Sequence, residues 1–206
     1  MGRYRGPLCR LCRAEKTPLF LKGTRCRTEK CSLRKKNYKP GEHGVKREKV
    51  SEYKLQLREK QKVKRIYGLY ERQFKSHFNI AEKMKGVTGE NLLMLLEKRL
   101  DNVLFRAGFA QSRREARNMI LHRHVTLNGR RIDIPSVQTR QGDEIKAYKN
   151  NIVSMLNAVQ SKVKAEIPEW LTMDDENLTI KVIGEPKRAD VDIPINEQLI
   201  VELYSK

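Results

Sequence analysis

The sequence has no uninterrupted apolar stretch that approaches the roughly 20 residues needed by a membrane-spanning helix. Its first residues, MGRYRGPLCRLCR, also lack the apolar core of a secretory signal peptide. They lead directly into a pair of cysteines instead of an amphipathic transit helix. We therefore expect a cytoplasmic protein with no membrane association.

The sequence also lacks the motifs around which many enzyme active sites are built. It has no G-x-S-x-G, no H-E-x-x-H, no glycine-rich phosphate loop with a lysine and no dinucleotide-binding fingerprint. His122 and His124 flank Arg123, where a phosphate contact competes with a helix-capping role. The acidic run 174–176 is typical of a solvated turn. We therefore expect no catalytic residues and no enzymatic activity.

Acidic side chains are scarce relative to basic ones. The chain carries 44 lysines and arginines against 25 aspartates and glutamates, and its formal net charge is +19 at pH 7. Residues 1–50 contain 16 basic and 4 acidic side chains, whereas residues 134–206 contain 9 basic and 12 acidic ones. This asymmetry favours a polyanionic partner for the first two thirds of the chain.

Cysteine is rare, and all four cysteines lie near the N-terminus. Cys9 and Cys12 form a C-x-x-C pair, and Cys26 and Cys31 form a looser pair after a 13-residue gap. In a cytoplasmic protein such pairs are more often metal ligands than disulfides. Four thiolates at this spacing suit one tetrahedral zinc ion, which would order the polar, irregular segment 1–45. The same cysteines could instead hold an iron–sulfur cluster. A third interpretation is four unrelated thiols that bind no metal.

Two helices are predicted after this segment. Ser51 as an N-cap and Gly68 past the end bound the first helix at residues 51–67, and the second helix covers 71–85. Basic residues recur every three or four positions along the first helix and share one face: Lys54, Arg58, Lys62 and Arg65. Because the preceding segment is strongly positive, we interpret this face as a nucleic-acid contact instead of a solvated surface.

Residues 98–133 predict a helix pair with grouped arginines. Thr88 is placed to cap one helix whose apolar residues, spaced three and four apart, continue to Ala107, and Gly108 is placed to end it. Ser112 and Glu115 predict a capping box for the next helix. The first turns of that helix are expected to expose three arginines: Arg113, Arg114 and Arg117.

Strand patterns follow these helices. Asn128-Gly129 predicts a type I′ hairpin, because that turn requires a positive φ at both central residues. Further strands are predicted over 142–148 and 177–183, and a helix over 151–163. Asn196 is placed to cap a final helix, for which a strand is the competing interpretation.

One long stretch, RLDNVLFRAGFAQSRREARNMILHRHVTLNGRRIDIPS, resembles the RNA-binding module first named for ribosomal protein S-four. That module also occurs in RNA pseudouridine synthases, a tyrosyl-tRNA synthetase and RNA methylases. The segments MGRYRGPLCRLCR, PGEHG, LREKQKVKRIYGLYERQF and PINEQLIVELYSK extend the likeness to bacterial ribosomal protein S-four over the full length. With its four cysteines, the chain resembles the zinc-bearing branch of that family.

The resemblance implies an α+β fold in which a mostly helical first domain receives an inserted module of two helices and an antiparallel sheet. We expect an irregular, metal-bound N-terminal segment at 1–45 and a helical domain at 46–95 that is completed by 175–206. The inserted RNA-binding module is expected at 96–174.

The resemblance also implies a structural protein of the small ribosomal subunit. Such a protein binds small-subunit ribosomal RNA as a primary binder and nucleates assembly of the five-prime domain. It also supports translational accuracy, beside proteins S-three and S-five and the channel through which mRNA enters. One alternative is an RNA-modifying enzyme that carries the same module. Another is a DNA-binding zinc protein, but this sequence lacks the Cys/His spacing of a zinc finger. Expected RNA contacts are Arg3, Arg5, Arg10, Arg13, Lys22, Arg25, Arg34, Lys35, Lys36, His43, Lys46, Arg47, Lys54, Arg58, Lys62, Arg65, Arg72, Lys75, Arg113, Arg114, Arg117, His122, Arg123, His124, Asn128, Arg130 and Arg131.

Overall fold

The computed structural model of the chain describes four ranges of residues: 4–46, 49–147, 167–174 and 177–205. The chain divides into two compact units, a helical unit of Met1–Leu92 with Ile193–Lys206 and a sheet unit of Leu93–Asp192. Three predictions lie outside the described residues: Arg3, Arg47 and the helix over 151–163. No helix in the described ranges is long and apolar enough to cross a membrane.

The N-terminal part of the helical unit is more regular than the sequence predicted. It contains α1 (Leu8–Glu15), a short 3-10 helix (Gly23–Cys26) and α2 (Ser32–Lys35). Among residues 4–46, the buried apolar side chains are those of Cys12 and Leu19. Burial of apolar surface therefore contributes little to ordering this segment.

Three longer helices follow in the helical unit: α3 (Glu52–Ile66), α4 (Glu71–Lys83) and α8 (Glu197–Tyr204). Ser51 caps α3 as predicted, because its Oγ accepts a hydrogen bond from the Lys54 backbone N–H at 3.3 Å. α8 packs against α3, and the Tyr204 ring lies 6.2 Å from Phe74 and 4.5 Å from Phe78 between centroids. The C-terminal segment is therefore a helix, and the competing strand interpretation is wrong.

The single helix predicted from the Thr88 cap to Ala107 is two helices. They are α5 (Thr88–Glu97) and α6 (Leu100–Arg106). Between them Arg99 has an extended backbone and forms an isolated antiparallel bridge with Gln138. The carbonyl of Lys98 accepts a hydrogen bond from the Thr139 N–H at 2.9 Å. The apolar periodicity continues across this break, so the pattern could not reveal it.

α7 (Arg113–Leu121) begins close to where the sequence predicted it. The Oγ of Ser112 accepts from the Glu115 backbone N–H at 3.3 Å. The Glu115 carboxylate accepts from the Gln111 N–H at 2.8 Å, one residue before the partner in a standard capping box. Gly108 precedes this helix with φ at 78°, a left-handed conformation that glycine adopts without strain.

In the part that the structure describes, the sheet unit contains five antiparallel strands: β1 (Val125–Leu127), β2 (Arg130–Arg131), β3 (Glu144–Ala147), β4 (Leu171–Asp174) and β5 (Thr179–Val182). Their order is β2-β1-β3-β5-β4. Asn128 and Gly129 between β1 and β2 have φ of 50° and 78°, as the predicted turn requires. Val125, Ile145 and Ile180 are fully buried in a core that also contains the apolar residues of α6 and α7.

The sheet unit is longer than the module predicted over 96–174. Strand β5 pairs with both β3 and β4, with Ile180 opposite Ile145 and Met173. This pairing places Thr179–Val182 in the sheet, and the sheet unit extends to Asp192, whereas the sequence assigned residues 175–206 to the helical domain. The chain returns to the helical unit only at Ile193.

Candidate nucleic-acid interface

The four cysteines line one small pocket in the N-terminal segment: Cys9, Cys12, Cys26 and Cys31. Two come from successive turns of α1, the third ends the 3-10 helix and the fourth is the N-cap of α2. All four are free thiols. The backbone N–H of Lys22 donates to the Sγ of Cys26 at 3.3 Å. Three separate elements thus contribute cysteines to one pocket.

The chemistry of these donors fits a thiophilic metal ion. Burial raises the pKa of the Cys12 and Cys26 thiols, and charge on the neighbouring cysteines raises the pKa further. A bound cation reverses that effect, because it stabilises the thiolate form. Among the described residues, no group of three or more His, Cys, Asp or Glu side chains is already at ligand spacing.

Most of the basic residues predicted as RNA contacts in this segment are exposed. They are Arg5, Arg10, Lys22, Arg25, Arg34, Lys35, Lys36, His43 and Lys46. Arg13 differs from them, because its Nε donates to the Tyr38 carbonyl at 2.9 Å and its Nη2 to the Lys39 carbonyl at 3.2 Å. Its guanidinium also lies 4.7 Å from the centroid of the Tyr38 ring. Arg13 therefore attaches a loop to α1.

The basic face predicted on α3 is largely engaged in contacts within the protein. Arg58 and Arg65 both pair with the carboxylate of Glu15, whose side chain is 2% exposed. Burial raises the pKa of Glu15, and the two arginines offset only part of that rise. Lys62 donates from Nζ to the carbonyl of Pro194 at 2.9 Å. This face is therefore not the open surface that the spacing indicated, and its arginines join α3 to α1.

The other predicted cations of the helical unit differ in exposure. Arg72 and Lys75 on α4 are exposed, whereas Lys54 in the first turn of α3 is half-buried. Among the predicted RNA contacts of this unit that the structure describes, the exposed cations therefore lie in the N-terminal segment and on α4.

Two of the three arginines predicted to project from α7 are structural. Arg117 is 6% exposed, and its Nη1 lies 3.5 Å from Oδ2 of Asp101. Arg113 donates from Nε to Oδ1 of Asn102 at 2.7 Å, and its side chain is 11% exposed. Arg114 is half-buried. The expectation that α7 exposes Arg113 and Arg117 is wrong, because both side chains turn into the protein.

These arginines belong to a charged cluster that the sequence analysis missed. This buried ionic cluster contains Glu97, Arg99, Asp101, Asn102, Arg106, Arg113 and Arg117. Glu97 is fully buried and accepts hydrogen bonds from Arg106 Nε at 2.8 Å and Asn102 Nδ2 at 2.9 Å. Asp101 accepts from Arg99 at 2.8 and 3.1 Å. The sequence feature that indicates this cluster is the run EKRLDNVLFR at residues 97–106. Charged residues interrupt an apolar stretch there, and they must form pairs if they are buried.

The hairpin of β1 and β2 carries exposed cations of the sheet unit. Arg130 and Arg131 are both exposed. Asn128 is also exposed, and its side chain holds the turn. Its Nδ2 donates to Oδ1 of Asp143 at 2.8 Å, and its Oδ1 accepts from the Glu144 N–H at 2.8 Å. The two arginines are therefore presented on a turn whose conformation is fixed by side-chain hydrogen bonds.

The three basic residues between α7 and β1 have different environments. His122 is exposed and His124 is half-buried, with 5.9 Å between their ring centroids. Arg123 has φ at 57° and donates to Oδ2 of Asp133 from Nη2 at 2.8 Å and from Nε at 3.1 Å. The ion pair of Arg123 with Asp133 competes with any phosphate contact, whereas His122 has the exposure that such a contact needs.

The helical unit, the sheet unit and their exposed cations are typical of basic α+β proteins that bind RNA. Residues 3–97 match the family model described as "Ribosomal protein S4/S9 N-terminal domain", and residues 98–145 match the "S4 domain". Three similar proteins bear the name "Small ribosomal subunit protein uS4". They come from Pelobacter propionicus and Trichlorobacter lovleyi, each 55% identical, and from Geobacter sulfurreducens, 54% identical. All three alignments cover 100% of both chains.

These matches place the chain in the class of S4-domain ribosomal proteins. The chain belongs to the uS4 family of small ribosomal subunit proteins. The resemblance to ribosomal protein S-four and the α+β fold with its S4 domain are confirmed. The family consists of ribosomal proteins and not of enzymes, so the prediction of a non-enzymatic protein is confirmed as well. The rival reading as an RNA-modifying enzyme is not favoured.

Proposed function

We propose that this protein is a structural component of the small ribosomal subunit and binds small-subunit ribosomal RNA. The observation that carries this proposal is the division of its basic residues into two groups. One group is buried in ion pairs that hold the fold. The other is exposed on the N-terminal segment, on α4 and on the hairpin, with Arg10, Arg34, Arg72 and Arg130 among its members. The names of the relatives agree with this function.

The proposed recognition depends on the shape of folded RNA. A-form helices place their base edges in a deep and narrow groove, so proteins contact phosphates, 2′-hydroxyl groups and unpaired bases. Arginine suits this task, because its planar guanidinium can donate two hydrogen bonds to one phosphate. Each phosphate that is neutralised releases counterions, so the affinity should fall steeply as salt is added.

We further propose that the protein is a primary binder that nucleates assembly of the five-prime domain. In this proposal it lies beside proteins S-three and S-five and the channel through which mRNA enters, where it supports translational accuracy. The exposed cations on both units support this proposal, since contacts from separate surfaces can set the angle between RNA helices. Hydroxyl-radical footprinting of the five-prime-domain transcript should show protection with this protein alone. Protection that required other proteins first would contradict primary binding.

The hairpin arginines provide a direct test of RNA binding. Replacing Arg130 and Arg131 with alanine should weaken binding to the small-subunit transcript, and each lost phosphate contact should reduce the log–log salt slope by about one. Both side chains are exposed, so the melting temperature should not change. Lys181 and Lys187 are also exposed in the sheet unit, and their double alanine variant is the matched control. Equal losses in both double variants would show that only net charge matters.

We also propose that the N-terminal pocket binds one zinc ion through Cys9, Cys12, Cys26 and Cys31. The four thiols line one pocket, and thiolates are preferred ligands of tetrahedral zinc. Zinc would neutralise the thiolates and connect α1, the 3-10 helix and α2, a region where buried apolar side chains are few. An iron–sulfur cluster is the alternative occupant, and metal analysis of anaerobically purified protein distinguishes the two.

A further inference from the structure

A second cavity in the helical unit is not explained by the functions proposed above. It has a volume of about 540 Å³ and lies between α1, the loop of residues 38–46 and the first turns of α3. Pockets for small organic groups in proteins commonly have volumes of about 300–1,000 Å³. Four exposed apolar side chains line it: Tyr38, Val45, Val50 and Leu55. An exposed apolar group of this kind is typical of a binding surface.

The loop that forms one wall of this cavity is held in place by specific contacts. Gly41 has φ at 105°. A Cβ atom at Gly44 would lie 1.9 Å from the Lys39 carbonyl oxygen, so the close packing of this turn requires glycine. Arg13 donates to the carbonyls of Tyr38 and Lys39, and its guanidinium lies 4.7 Å from the centroid of the Tyr38 ring. The glycines of the PGEHG motif and Arg13 therefore support the Tyr38 wall.

The remaining lining of the cavity is strongly positive. Its basic members are Lys16, Lys39, Lys46, Lys54 and Arg58. The lining also contains the acidic residue Glu15. Its carboxylate pairs with both Arg58 and Arg65. The cavity thus combines an apolar and aromatic surface with an excess of cations.

We propose that this cavity binds a single unpaired nucleotide of the RNA, with the base against Tyr38 and the adjacent phosphates near the lysines. A nucleotide matches both parts of the lining, since bases stack on aromatic side chains and phosphates attract cations. An apolar side chain from a protein partner would match only the apolar part of this lining. The inference rests on the proposed function, because it assumes that RNA is the partner.

The first test measures binding of the full-length protein to a five-prime-domain transcript of small-subunit ribosomal RNA. Tyr38→Ala removes the ring and should weaken binding about tenfold, the usual effect of losing one stacked base. Tyr38→Phe retains the ring and should bind like the wild type. Tyr53 is a matched control, because it is 60% exposed on α3 and does not line the cavity. Tyr53→Ala should therefore bind like the wild type.

A second pair of variants covers the case in which Tyr38→Ala lowers the melting temperature. Leu55 lines the cavity and is 49% exposed, so Leu55→Glu adds negative charge there with little effect on folding. Tyr53→Glu adds the same charge to α3 outside the cavity. Leu55→Glu should weaken binding more than Tyr53→Glu.

Crosslinking separates the failure of this inference from the failure of the proposed function. With 4-thiouridine in the transcript, we expect crosslinks at residues that line the cavity, and we expect the crosslinked nucleotides to be unpaired. If the wild type binds the transcript but crosslinks elsewhere, or if Tyr38→Ala and Tyr53→Ala bind equally well, the inference is overturned and RNA binding stands. If the wild type does not bind the transcript, both proposals fail.

Discussion

Replacing Arg106 with methionine should strongly destabilise the sheet unit. Arg106 donates from Nε to the Glu97 carboxylate at 2.8 Å, and the Glu97 side chain is 0% exposed. Methionine approximates the aliphatic part of arginine but leaves a carboxylate without its principal cation. The loss is therefore an electrostatic one and not mainly a loss of packing.

The size of this effect follows from what remains around Glu97. Removing one partner of a buried ion pair usually costs about 3–5 kcal/mol. Asn102 still donates at 2.9 Å and Arg113 lies 3.9 Å away, so we expect a loss near the lower limit, about 3 kcal/mol. Replacing Glu97 with leucine in the same chain removes the buried carboxylate itself. That double variant should therefore recover more than half of the lost stability.

Urea denaturation followed by tryptophan fluorescence measures this effect directly. The chain contains a single tryptophan, and Trp170 is buried in the core of the sheet unit, so its emission reports unfolding of that unit. Arg130→Met is the control, because Arg130 is exposed on β2 and its replacement should change stability by less than about 0.5 kcal/mol. A loss below about 1 kcal/mol in Arg106→Met would refute the assignment of Arg106 to a buried pair.

Two further predictions concern the helical unit. With zinc present, the N-terminal segment should resist proteolysis, and either a chelator or Cys12→Ser should remove that resistance. Equal cleavage rates with and without metal would contradict the zinc proposal. Burial alone would raise the pKa of Glu71, but hydrogen bonds from two lysines and Tyr204 lower it from 4.5 to about 2. A depressed carboxyl pKa stabilises the fold above pH 4.5, and that contribution is lost as the pH falls towards 2. Glu71→Gln should therefore lower stability at pH 7 and flatten the decline of stability between pH 4.5 and 2. Glu82→Gln, at an exposed position on α4, is the control and should change neither. If Glu71→Gln left the decline at acid pH unchanged, the ion pairs of Glu71 would be contradicted.

Local signals in the sequence predicted local features of the fold well. Ser51 and Ser112 cap helices as expected, because capping involves residues only three positions apart. Asn128-Gly129 forms the expected turn, since few other residues tolerate two successive positive φ values. The final helix and its association with the first part of the chain also agree with the resemblance.

The errors arose where distant contacts decide the outcome. Arg113 and Arg117 have the spacing of an exposed basic face, yet partners on α6 draw both side chains into the protein. Arg58 and Arg65 are similar, because Glu15 lies more than 40 residues away in sequence. The break at Arg99 depends on backbone pairing with Gln138. Charge spacing shows that side chains share a face but not whether that face is exposed.

The most direct test of the proposed function is crosslinking of the full-length protein in a bacterial extract, followed by sequencing of the attached RNA. We predict that small-subunit ribosomal RNA is the main species and that the crosslinks concentrate in its five-prime domain. A variant with Arg130 and Arg131 replaced by alanine should recover less of this RNA than the Lys181 and Lys187 control. Recovery of mainly other RNA, or no enrichment over the input, would contradict the proposed function.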